Sequence, residues 1–203
     1  GHELLHIASS FYNELRDEVQ CGFSQATADG DAEIGRGFNE GYTDYLAFKI
    51  FGERKDNAYK DLVLIARLLE LFFDNPRDME DLYFSHDLPG FIHYMERFIP
   101  YDKMIGIVLS LDKIYMYDDS YVSSLVFEVV NVEMELYRYF VNCNPSPEKL
   151  EAFESIIKEK SVAAKALKRE KRRLVREKLQ DKCEPLEEFD YFEDDLAYKG
   201  TAK

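Results

Sequence analysis

The sequence predicts a mainly α-helical protein interrupted by one small β-hairpin or loop. Three observations lead there. Apolar residues return every three or four positions over most of the chain, as a helix with one buried face requires. Pro, Asn, Asp and Gly fall mostly between those periodic segments, where helices start and stop. Residues 21–37, CGFSQATADGDAEIGRG, have turn composition instead, and the central Asp29-Gly30 suits a tight turn between short extended arms.

Taken in order, residues 2–20 are expected to form the first helix, with Leu4, Leu5, Ile7, Ala8, Phe11, Tyr12 and Leu15 at helical spacing. No Ser, Thr, Asp or Pro start signal precedes it, which reads as a truncation inside an apolar helix. After the 21–37 segment, Asn39 is the expected N-cap of a helix over 40–51, closed by Gly52. A third helix over 58–73 puts Leu62, Ile65, Leu69 and Phe72 on one face and stops at Asn75-Pro76. Shorter helices are expected over 77–84 and 89–98, then longer ones over 102–117 and 120–142. The last of these carries Val122, Leu125, Val129, Val132, Leu136 and Phe140 as a buried stripe, and Asn144-Pro145-Ser146-Pro147 breaks the chain after it. One final helix is expected over 148–181. Its first half holds Leu150, Phe153, Ile156 and Ile157, and residues 158–178 hold ten Lys or Arg against three Glu. An acidic tail over 184–195 includes Phe189, Tyr191 and Phe192. These breaks divide the chain into residues 1–56, a helical subdomain over 57–145, and a charged helix with its tail over 146–203.

Composition narrows the classes of function. With 203 residues, 46% of them hydrophobic and 14% aromatic, the chain can bury a sizeable core. A formal charge of −14 disfavours nucleic acid or an anionic membrane as a partner of the whole surface. Cys21, Cys143 and Cys183 are odd in number and far apart, which argues for reduced thiols, and that usage favours a cytoplasmic setting. No apolar run is long enough to cross a bilayer.

The chemistry is concentrated at the start of the chain. His2-Glu3-Leu4-Leu5-His6 reads HExxH, whose two imidazoles lie one turn apart on a helix and can share one zinc ion, with Glu3 beside the same pocket. Catalytic zinc takes three protein ligands and leaves a position for water, so a third donor is needed. Glu40 offers one, with Asp44 a turn further along the same expected helix. A carboxylate in that position can accept the free ring N–H of a zinc-bound histidine and fix its tautomer.

With HExxH followed by ExxxD, the chain resembles the gluzincin clan of zinc metallopeptidases, the thermolysin-like group, over about residues 1–52. The resemblance implies His2, His6 and Glu40 as zinc ligands, Glu3 as general base and Asp44 as the carboxylate behind an imidazole. It implies hydrolysis of peptides or proteins by zinc-activated water. It also makes residues 1–56 the C-terminal part of a zincin-like catalytic core. The clan's substrate-holding β-sheet normally precedes HExxH and is missing from this sequence. The Asn39-Glu40-Gly41-Tyr42-Thr43-Asp44 wording is similar to that of uncharacterised bacterial members. Thirty-three residues separate His6 from Glu40, more than in thermolysin, and the 21–37 segment can absorb the difference.

Plainer readings stand beside these. His2 and His6 can be ordinary helix histidines, or His2 part of a Gly-His tag scar. Glu40 can simply complement a helix dipole, and Asp44 can be a solvated helix residue. His86, His93 and Tyr42 have the right chemistry to stabilise an oxyanion, but no motif supports any of them. The basic 158–178 run lacks interleaved aromatics, and the acidic tail is its most economical partner. The rival to a peptidase is a non-catalytic helical interaction protein that keeps a vestigial or structural zinc site.

Overall fold

The computed structural model describes residues 1–14, 18–26, 33–52, 59–116 and 122–180. Among them the protein is mainly helical, with two small antiparallel sheets near the N-terminus. The Asp29-Gly30 turn and the 184–195 tail lie outside the described residues. Among the described residues, no helix is long and apolar enough to cross a membrane. The chain divides into two compact units, Gly1–Lys168 and Arg169–Lys203.

The first helix, α1 (His2–Ala8), is much shorter than the expected 2–20 span. Strands β1 (Ser10–Asn13) and β2 (Glu18–Cys21) follow and pair antiparallel, with Ser10 opposite Cys21 and Tyr12 opposite Val19. Ser9 and Ser10 explain the early stop. The Ser10 hydroxyl donates to the His6 carbonyl, with the Ser9 hydroxyl 3.4 Å from the same oxygen, so a side chain competes for a backbone acceptor near the helix end. Beyond them Phe11, Tyr12 and Val19 are residue types that suit a pleated surface better than a helix. Their spacing fits a helix; their chemistry and the two serines fit a hairpin. A second small hairpin pairs β3 (Gln25–Ala26) with β4 (Glu33–Ile34), inside the segment expected to hold one.

Helix α2 (Arg36–Phe51) begins four residues before the expected start and ends at Gly52 in the left-handed conformation, as expected. Asn39 is not its N-cap. Asn39 lies buried inside the first turns, and its Oδ1 accepts the Phe23 N–H at 3.1 Å. The cap is supplied from elsewhere: the Asp112 carboxylate accepts the N–H groups of Gly35 and Gly37, each at 2.8 Å. Asp112 belongs to α6 (Tyr101–Met116), and α2 packs against α6 on one side and α3 (Lys60–Glu70) on another. Both approaches are close because of glycine. A Cβ on Gly37 would meet the Leu111 carbonyl oxygen at 2.1 Å, and one on Gly41 would meet the Leu62 backbone at 2.7 Å. Glu40 therefore sits on a helix held tightly from two directions.

The remaining helices supply the core. Helix α3 ends at Glu70, before the expected Asn75-Pro76 stop, and that pair instead starts α4 (Pro76–Phe84), with Asn75 accepting the Arg77 N–H and Pro76 in the first turn. Helices α5 (Leu88–Met95), α7 (Val122–Asn142) and α8 (Pro147–Lys158) follow. Phe23, Phe38, Tyr42, Tyr83 and Phe91 form one aromatic cluster under α2, with Phe23 stacked on Phe38 at 4.5 Å. Phe72, Phe98, Phe140 and Phe153 form another where α3, α7 and α8 meet. The α7 stripe is buried at Val129, Val132, Leu136 and Phe140.

The single helix expected over 148–181 is two. Helix α8 ends at Lys158, and α9 (Ser161–Gln180) begins after a break at Glu159-Lys160. No Pro or Gly marks the break. Glu159 pairs with Arg67 at 2.8 Å and Lys160 pairs with Asp61, so two ion pairs to α3 hold the junction. In the second unit, Arg173 of α9 bridges Glu170 and Glu177 along its own helix.

Candidate metal centre

Helix α1 places His2 and His6 one turn apart on a common face, and Leu5 is its buried anchor. Their rings meet edge to face at a centroid distance of 4.4 Å. Because α1 packs on α2, Glu40 faces both imidazoles. The Glu40 Oε2 atom lies 3.3 Å from His2 Nε2 and 3.5 Å from His6 Nε2, and the two Nε2 atoms are 2.8 Å apart. All three side chains are partly open to solvent.

These separations decide whether the three donors can share one ion. They define a triangle whose corners lie about 1.9 Å from its centre. The usual metal–donor distance of ~2.0–2.1 Å is long enough to reach all three corners at once. Two imidazole nitrogens and one carboxylate oxygen in this arrangement can hold a divalent metal and leave a fourth direction open.

The atoms on the far side of each imidazole are also partnered. His2 Nδ1 is 2.6 Å from Asp44 Oδ1, one turn along α2 from Glu40. With Nε2 committed to a metal, Nδ1 carries the proton and donates to that carboxylate. His6 Nδ1 is 3.2 Å from the Cys21 sulfur, at the end of β2. Hydrogen bonds from Cys21 and then Glu40 push His6 up to about 10, ahead of the opposing effect of burial. Burial alone would raise Glu40, but the hydrogen bond and charge of His6, with the charges of His2 and Arg36, outweigh it and hold the carboxyl below its ordinary value. Burial likewise raises Cys21, and the bonds from His6 and Ser9 bring it down overall.

The sequence-derived candidates divide accordingly. His2, His6, Glu40 and Asp44 converge, although 33 residues and both small hairpins intervene between His6 and Glu40. Glu3 is exposed on α1, next to His2. His93 is 87% exposed and pairs with Glu96 at 2.9 Å. His86 stacks on Phe11 at 5.6 Å. Tyr42 is fully buried in the aromatic cluster, and burial pushes its hydroxyl up. Two residues near the centre carried no sequence signal. Tyr59, stacked on the His2 ring at 6.2 Å, is pushed up to about 12 by burial and by the Glu40 charge. Cys21 reads in sequence only as a lone thiol, and a hairpin assignment for 10–21 is what returns it to α1. No known protein family, curated protein or solved structure matches the chain.

Proposed function

We propose that the chain is part of a zinc-dependent metallopeptidase of the gluzincin type. The observation that carries this reading is the convergence of His2 Nε2, His6 Nε2 and Glu40 Oε2 within 3.5 Å of one another, with Asp44 behind His2. When bound, zinc lowers the pKa of coordinated water toward about 7 and polarises the scissile carbonyl. His2 and His6 donate through Nε2, and Glu40 supplies the one anionic donor, kept ionised by its histidine neighbours. Asp44 accepts a hydrogen bond from the His2 Nδ1–H and so holds that imidazole in the tautomer whose Nε2 is free to donate to a metal. Glu3 takes the proton from the attacking water and returns it to the leaving amine. The substrate class is peptide or protein.

Metal content and hydrolysis test this separately. Elemental analysis should find near-stoichiometric zinc in the purified chain and its loss in both His6→Ala and Glu40→Ala. Metal content unchanged in either variant removes the shared site. Glu3→Gln should keep the zinc and lower cleavage of an unstructured protein substrate by at least about 100-fold.

A second reading is a helical interaction protein with a structural zinc site. It is favoured by Leu4, Ile7, Phe11, Tyr12 and Val19, all more than half exposed on α1 and its hairpin. Zinc retained in both the parent and Glu3→Gln, with no hydrolysis by either, decides for that reading.

A further inference from the structure

We infer that Cys21 is a positioning residue for the metal centre: its sulfur accepts the His6 Nδ1–H and holds that imidazole with Nε2 toward Glu40 and His2. The inference rests on the metal-centre reading above. A metal on His6 Nε2 leaves the ring's only proton on Nδ1, and that proton needs an acceptor. The Cys21 sulfur, at 3.2 Å, is the acceptor that faces it. The two imidazoles are then held by different chemistry, a carboxylate behind His2 and a thiol behind His6.

The thiol is itself held in place. Pairing of Ser10 with Cys21 closes the hairpin beside the end of α1. The S–H has two acceptors within reach, the Ser9 hydroxyl and the His6 carbonyl, each at 3.4 Å. Ser9 donates to the buried Tyr83 hydroxyl at 3.1 Å, Tyr83 meets Thr43 at 2.7 Å, and Thr43 donates to the Asn39 carbonyl at 2.7 Å. This chain of bonds runs from His6 to the residue before Glu40. It ties the hairpin to both metal-bearing helices, so the position of Cys21 and the position of the carboxylate donor are set together.

The test measures zinc affinity by competition with a chromophoric chelator, on the full chain, for the parent, Cys21→Ala, Cys21→Ser and His6→Ala. Cys21→Ala should weaken zinc binding by about 10- to 100-fold, the usual effect of losing a partner behind a ligand. Cys21→Ser, which keeps an acceptor, should recover most of that loss. Nitrogen-15 NMR of the zinc-loaded chain adds a readout that a packing role would not move. The His6 Nδ1 proton should be visible in the parent and in Cys21→Ser, and lost to exchange in Cys21→Ala. If Cys21→Ala binds zinc like the parent while His6→Ala does not, Cys21 has no positioning role and the metal centre stands. If Cys21→Ser is as weak as Cys21→Ala and the His6 proton stays visible in both, the thiol only fills space and the inference falls. If the parent itself takes up no zinc, the metal-centre reading fails and this inference goes with it.

Discussion

Glu133 lies on α7 with none of its surface exposed, and neither carboxylate oxygen has a hydrogen-bond partner among the described residues. Burial raises its pKa from the ordinary 4.5 to about 8. The folded chain therefore binds this proton more tightly than the unfolded chain does. The sign follows: the carboxyl's contribution to stability is fully present below about pH 4.5, declines as the pH rises, and levels off above about pH 8. At about 1.4 kcal/mol per pH unit, the loss between pH 5 and 7.5 is about 3 kcal/mol, a large part of the ~5–15 kcal/mol typical of a domain. Glu133→Gln keeps the size and removes the titration. At pH 5 parent and variant should agree within about 1 kcal/mol, because both bury a neutral polar group without a partner. At pH 7.5 the variant should be the more stable by about 3 kcal/mol. Urea unfolding followed by far-ultraviolet circular dichroism at both pH values measures the difference directly, since other titrating groups are common to both chains. A gap between parent and variant that does not change from pH 5 to 7.5 refutes the reasoning.

Three further outcomes are expected. Gly37→Ala drives a methyl into the Leu111 carbonyl and must push α2 from α6; urea unfolding should show a loss of about 1–3 kcal/mol, whereas Gly106→Ala, inside α6 where a Cβ meets nothing, should gain about 0.5–1 kcal/mol. Asp112→Ala strips two N–H groups at the start of α2 of their shared acceptor. It should cost about 1–2 kcal/mol, and hydrogen exchange should quicken at Gly35 and Gly37 ahead of the rest of the helix. Asp44→Ala should weaken zinc binding by about 10- to 100-fold in chelator competition without changing the stoichiometry, because it frees the His2 ring and leaves all three donors in place.

Much of the helical architecture was legible in the sequence because its signals are local. The Gly52 stop, the helix that follows Pro76 and the 3.6-residue stripe of α7 each depend on a few neighbouring residues. The HExxH and ExxxD spacings likewise place each pair of side chains one turn apart, given only that each segment is a helix. Where local signals conflict, spacing alone misleads: the apolar spacing of residues 2–20 fits one helix, yet α1 stops at Ala8, before Ser9 and Ser10. The break between α8 and α9 is held by charges on α3, which no window around residues 148–181 contains.

By itself, then, the sequence determined the helical class and which residue types could bind a cation. The tertiary structure decided that His2, His6 and Glu40 face one another, that Asp112 caps α2 from 75 residues away, and that Cys21 stands behind His6. The physical reason is the range of the interactions. Periodicity and capping act within one or two turns, whereas these contacts join segments whose approach is set by how closely helices can pack, here through Gly37 and Gly41 on either side of Glu40.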